Sequence, residues 1–312
     1  MKKILYLLFC LSIFVYSCDS GNDSSPIGEV ETPGDNGNGD SGGDTGNTDQ
    51  ENYLSPEVDS EGKIIVKYTP KEYVEQVEEG QHMISVRIPK NYYSSAVSLS
   101  GSELRDEIQE IISTGASKLS YSTVWTMCEN GDQNPENSSQ VWQIYKETGI
   151  AKTAHVSGST GWNREHVWAK SHGDFGTSNG PGTDGHHLRA SDARENGNRA
   201  ALDFAFVNGP RTKNSTFYEP PKSAKGDVAR AIFYMAVRYG FTVDDLGGQG
   251  KAARHGKLED LLKWNELDPV DPYEIRRNNV IYDFQHNRNP FIDHPELVKY
   301  IFGAKKSEVW KN

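Results

Sequence analysis

Cysteine is scarce in this 312-residue chain: Cys10 and Cys18 lie near the start and Cys128 stands alone in the body. A disulfide framework is therefore excluded for the mature monomer. No Cys-x-x-Cys and no His-Glu-x-x-His occurs, which removes the commonest zinc patterns. The body of the chain also lacks a phosphate loop and a serine-hydrolase elbow, since Gly158-Ser159-Thr160-Gly161 has the wrong spacing. No internal repeat is visible. Positive charge is short as well, with 33 Lys and Arg against 44 Asp and Glu, so any polyanion would have to be bound by a local groove rather than by the global field.

There is one notable apolar run, Ile4 to Val15, preceded by Lys2 and Lys3. It is too short for a typical transmembrane helix and has the form of an export signal. The run leads into Tyr16-Ser17-Cys18, a lipobox-like end apart from Tyr16, so residues 1–18 read as a lipoprotein-type signal with lipid attached at Cys18. Simple secretion with Cys18 free is the alternative. Residues 19–52 are dominated by Gly, Asp, Asn, Ser and Thr. Such a segment buries too little to offset its ordering entropy and reads as an acidic tether, with a typical span of about 30 Å. Residues 19–90 hold 16 acidic against 5 basic side chains, whereas residues 91–312 hold 28 against 26. The acidity thus belongs to the leading segment, and the body is nearly neutral.

Residues 53–90 carry two short β patterns, Lys63–Tyr68 and Met83–Ile88, with one or two helical turns expected over Glu72–Glu79 and no function assigned. Residues 91–312 are long enough for one domain with its own core. Leu104, Ile108, Ile111 and Ile112 suit an amphipathic helix over 102–113. Val228, Ala231, Ile232, Met235 and Tyr239 predict a second over 227–239, stopped by Gly240. On that helix Arg230 could face phosphate or solvent, and Arg238 is expected in solvent.

The densest chemistry falls between residues 163 and 199: Asn163-Arg164-Glu165-His166, Asp184-Gly185-His186-His187-Leu188 and Asn196-Gly197-Asn198-Arg199. Cutting a phosphodiester needs a base near neutral pH, for which the imidazole of His166 is suited. It also needs neutralisation of charge on the phosphoryl group, which a hard cation supplies. Mg²⁺ takes oxygen ligands and usually only one or two protein side chains. Glu165 and Asn196 would suffice. Adjacent residues on a strand point to opposite faces, so aiming both Glu165 and His166 inward calls for a bulge or a strand end. Ser191 is a plausible cap for a helix on which Asn196 and Arg199, three apart, share a face. The expected picture is strand, glycine-rich loop and helix, with the metal between strand end and helix. Asp184 could bind metal, but is expected rather to orient a histidine, with His186 as support. The Asn287-Arg288 block is expected to brace the site.

These three segments, together with Lys225–Arg230, Asp268–Asp271 and Gln285–Asp293, resemble the bacterial endonuclease I family of the His-Me finger (ββα-metal) nucleases, over most of residues 91–305. The resemblance implies an α+β fold, with mixed helices and short antiparallel strands around a ββα-metal core. It implies a nonspecific Mg²⁺-dependent endonuclease, with Mn²⁺ or Ca²⁺ as substitutes, leaving 5′-phosphate ends on DNA, RNA or both. By matching positions, Glu165 and Asn196 would hold the metal and His166 would activate water. The arginine that holds the cleaved phosphate would be Arg199 or, second, Arg164. The expected molecule is an exported monomer anchored by lipid to the outer membrane or cell surface. Two other readings remain open, a surface-anchored binding lipoprotein with an inactive nuclease fold and a phosphodiesterase for small nucleotides.

Overall fold

The computed structural model describes residues 86–311 apart from 157 and 249–251, together with a short antiparallel pair, Glu57–Val58 against Ile64–Ile65. The expected signal, Cys18, the tether and the turns over 72–79 lie outside the described residues. Ile64–Ile65 falls within the first expected β pattern, whereas Val86–Ile88, the described end of the second, is not a strand.

The fold is α+β. Its helices are α1 (Gly101–Ser113), α2 (Thr123–Gly131), α3 (Ala193–Arg199), α4 (Lys225–Arg238), α5 (Leu258–Leu267), α6 (Pro272–Gln285), α7 (Pro290–Asp293) and α8 (Leu297–Ile301). The sheets are small and mostly antiparallel. One joins Gln133–Asn134, Asn137–Gln143 and Thr148–Ala151, and another is the hairpin of Trp162–His166 with Leu188–Asp192. Two short pairings are parallel, Asp203–Phe204 with Phe217–Glu219 and Thr242–Val243 with Arg254–His255.

The larger core forms around α4, with α1, α5 and α7 packed on it. Leu104, Ile108 and Ile112 of α1 are fully buried, as their spacing predicts. α4 differs from its expectation. It begins at Lys225 and is buried on every side rather than along one stripe. Its polar residues can be inside because each finds a partner: Lys225 with Glu219 at 2.7 Å, Asp227 with Arg189 at 2.7 Å, and Arg230 Nε with Glu274 at 2.7 Å. Buried charges survive only when paired in this way. Arg230 is therefore neither solvated nor free to meet phosphate. Arg238 bonds Ser113 Oγ at 2.6 Å and lies over Tyr239. Gly240 follows at φ +67°, the left-handed position that ends a helix.

A smaller core gathers Val124, Met127 and Cys128 of α2 with Trp162, Leu188 and Ala190 of the hairpin and Ile281 of α6. Trp162 is buried in this cluster, and Val167 and Trp168 in the larger one. Glu165 and His166 thus lie where the chain passes from one core to the other.

Candidate active site

Trp162–His166 pairs residue for residue with Asp192–Leu188, Glu165 opposite Arg189 and His166 opposite Leu188. No bulge interrupts it. His166 is the last residue of its strand, so of the two routes to an inward Glu-His pair, the strand end is the one used. The second strand, Leu188–Asp192, is missing from the strand, loop and helix read off the residues but is one of the two strands that the resemblance implies. With α3 directly after it, the order becomes strand, loop, strand, helix.

Glu165 is 2 % exposed. Its Oε1 accepts from Tyr145 Oη at 2.7 Å and from Arg199 Nη1 at 3.0 Å. Burial raises its carboxyl above the ordinary range, and the Arg199 charge and Tyr145 hydroxyl work the other way. His166 is also buried, and its Nε2 lies 3.0 Å from the Gly182 carbonyl. A carbonyl only accepts, so Nε2 carries the proton and Nδ1 carries the lone pair. Burial, then the neighbouring His187, holds the ring well below the usual histidine range. At neutral pH this imidazole is neutral and able to accept a proton. Tyr121 stacks beside it at 6.1 Å between ring centroids.

α3 begins one residue later than expected. Ser191 is fully buried in the strand, and the cap is Asp192, whose Oδ1 accepts from the amides of Arg194 and Glu195 at 3.0 Å each. Asn196 donates through Nδ2 to Asn163 Oδ1 at 2.8 Å and to the Arg164 carbonyl at 3.5 Å. These bonds hold its amide nitrogen beside the backbone that precedes Glu165. They use none of its Oδ1, the atom a hard cation takes.

Both candidate arginines are engaged by contacts within the protein. Arg199 is 1 % exposed. Nη1 also donates to the His166 carbonyl at 2.8 Å, and Nη2 bonds the Val167 carbonyl at 2.7 Å and faces His255 Nε2 at 3.1 Å. Its guanidinium clamps the end of the strand, with Nη1 and Nη2 both engaged. Arg164 lies over Tyr121 at 3.4 Å and Trp125 at 3.9 Å and donates to the Tyr121 carbonyl. That stacking holds the aromatic wall next to His166.

Asp184 does not orient a histidine ring. Its Oδ2 accepts from Tyr234 and Tyr239, both at 2.8 Å, and its Oδ1 from Gln285 Nε2 and from the His186 amide. Its carboxyl sits below the usual range even though burial pushes it up, because the nearby His186 and His187 rings and these donors outweigh burial. His186 Nε2 meets Asn287 Oδ1 and carbonyl at 3.2 Å, and His187 Nε2 meets the Pro181 carbonyl at 2.7 Å. Asn287 reaches back to Ile112 and Tyr234, and Arg288 forks onto Asp293 at 2.7 Å twice. The 184–187 segment is thus fastened to α4 and to the Gln285–Arg288 block.

Glu165 and Asn196 suit a hard oxygen-seeking cation: a desolvated carboxylate and an amide oxygen on adjoining elements, with no thiolate nearby. Sequence reasoning did not find Tyr145, a lone tyrosine outside any motif, or the Gly182 carbonyl, since a backbone acceptor leaves no sequence signal.

Residues 100–296 match the family described as Endonuclease I. The chain is 49 % identical over 229 residues to a Bacillus amyloliquefaciens protein named an extracellular ribonuclease, covering 68 % of this chain and 78 % of that one. A Bacillus subtilis protein of the same name is 46 % identical over 225 residues, covering 68 % of this chain and 78 % of that one. An Aeromonas hydrophila protein named an extracellular deoxyribonuclease is 31 % identical over 121 residues, 35 % of this chain and 48 % of that one. With a match spanning the hairpin, α3 and the bracing block alike, this chain belongs to the endonuclease I family of nucleases.

Proposed function

We propose that this protein is an exported, metal-dependent endonuclease that hydrolyses phosphodiester bonds of both DNA and RNA to 5′-phosphate ends. The observation that carries the reading is the pairing of His166 and Glu165: a neutral, buried imidazole with Nε2 bound to Gly182, next to a desolvated carboxylate. Glu165 and Asn196 would hold Mg²⁺. When bound, that ion supplies Lewis acidity to the phosphoryl group and the leaving oxygen.

The chain's own residues do the following. His166 Nδ1 takes a proton from the water that attacks phosphorus, and the Gly182 carbonyl steadies the resulting imidazolium through Nε2–H. The bond from phosphorus to the 3′ oxygen breaks, and that oxygen leaves with a proton from solvent. Arg199 and Tyr145 fix the Glu165 carboxylate before substrate arrives, so no reorganisation is needed during reaction. The scheme uses no ribose 2′-OH, which makes both polymers chemically acceptable. The Bacillus relatives are named ribonucleases and the Aeromonas relative a deoxyribonuclease, which supports a substrate range covering both. The word extracellular in those names supports export. We extend this to a lipid anchor at Cys18, with residues 19–52 as tether and residues 91–312 as the monomeric nuclease domain.

The test is digestion of plasmid DNA and of long RNA by the purified protein, with Mg²⁺ or with EDTA, followed by end-group analysis. Mg²⁺-dependent shortening with phosphate on the 5′ ends is expected. Intact polymers under every condition, with the protein folded, would overturn the reading.

A further inference from the structure

His172, Asp203 and His255 come together from three separate segments, behind the residues already described. All three are buried, at 4 %, 2 % and 0 % exposure. His172 Nδ1 lies 3.4 Å and His255 Nδ1 3.1 Å from Asp203 Oδ1. The ligand atoms all fall within 4.8 Å of one another.

Three features of this cluster, taken together, point to a bound ion. His172 Nδ1 and Asp203 Oδ1 both lack a hydrogen-bond partner, which is rare for atoms so deeply buried. Two unpartnered polar atoms thus face each other at 3.4 Å, and a positive species between them would satisfy both. The spacing matches that species in size. Ligands about 2.0–2.1 Å from a tetrahedral ion are about 3.3 Å apart, close to the two separations here. The wall is also kept free of side chains: a Cβ on Gly248 would stand 2.4 Å from His172 Nδ1, and one on Gly247 2.3 Å from Asp203 Oδ2.

We propose that His172, Asp203 and His255 form a second metal site, for a zinc-class divalent ion. Two imidazole nitrogens with one carboxylate oxygen suit Zn²⁺ or Co²⁺ and are a poor set for Mg²⁺, which favours oxygen. The ion ties the loop after Trp168 to the Asp203–Phe204 and Arg254–His255 strands, and so supports the floor on which Arg199 rests. His255 Nδ1 now faces the Gly256 carbonyl at 3.2 Å, and Nε2 faces Arg199 Nη2 at 3.1 Å. Joining the ion frees the Nδ1 proton. Where that proton moves to Nε2 it faces the guanidinium, so occupancy and the Arg199 contact are coupled.

The test uses the full chain, stripped by chelator and titrated with Co²⁺ alone, then with Zn²⁺ alone. One equivalent of Co²⁺ with tetrahedral visible bands is expected, displaced by Zn²⁺ and indifferent to millimolar Mg²⁺. Glu165→Gln should keep the bands, which separates this site from the catalytic one. His172→Gln and the isosteric Asp203→Asn should each weaken Co²⁺ binding tenfold or more, with circular dichroism showing which variants are folded. Wild type without tetrahedral Co²⁺, or wild-type affinity in a folded variant of either residue, would overturn the site and leave a proton as the species between His172 Nδ1 and Asp203 Oδ1.

Discussion

Arg199 Nη1 donates to Glu165 Oε1 at 3.0 Å, and both side chains are almost wholly buried. The first candidate for holding the phosphate thus also bonds the carboxylate. Removing it leaves an uncompensated buried charge, a loss of about 3–5 kcal/mol. Arg199→Ala should therefore lower both the urea midpoint and the turnover rate. A variant of unchanged stability with only a raised KM would restore the phosphate-binding role.

Tyr145 donates to the same oxygen at 2.7 Å. Tyr145→Phe keeps the ring and deletes one hydrogen bond, at a cost of about 1 kcal/mol. Without that donor the carboxyl rises further and competes less well for a cation. A several-fold higher Mg²⁺ concentration for half-maximal activity is expected from a metal titration of the variant. An unchanged midpoint would count against Glu165 as a ligand.

Stability should fall with acid. Burial holds both His186 and His187 down to about 4, whereas the unfolded rings titrate near 6.5. Between those values the unfolded state binds more protons, so unfolding becomes easier as pH falls, by about 1.4 kcal/mol per pH unit for each ring. Above about 6.5 these two rings contribute no slope. Urea unfolding from pH 7.5 to 4.5 on wild type and on His186→Gln measures that ring's share, and an unchanged slope in the variant would mean the ring is charged in the folded protein.

Anchoring is tested at Cys18. Cys18→Ala should move the protein from the membrane fraction to the soluble one without altering specific activity. Equal distribution of both forms would favour simple secretion.

The local periodicity of α1 was legible, and so was the interval holding Glu165, His166 and Asn196, because motif residues cluster within one supersecondary unit. α4 was legible as a helix but not as a central one, since the partners that let Lys225, Asp227 and Arg230 be buried lie outside it at Glu219, Arg189 and Glu274. In the residue pattern alone, the Leu188–Asp192 strand is hidden for a similar reason, although the ββα core of the resemblance includes it. Arg189 looks solvated in sequence, yet it is neutralised by Asp132 and Asp227, 57 and 38 residues away. Two of the bonds of Arg199 go to the backbone carbonyls of His166 and Val167, which no side-chain pattern records. His172, Asp203 and His255 are too scattered to form a motif.

The most direct test of the central claim compares wild type and His166→Ala on one plasmid substrate at saturating Mg²⁺, with Mg²⁺ binding measured on both. Loss of a general base predicts a rate about 10²–10⁴-fold lower, with metal affinity nearly unchanged because Glu165 and Asn196 remain. Full activity in the variant would contradict the account, since the proton would then be leaving by another route.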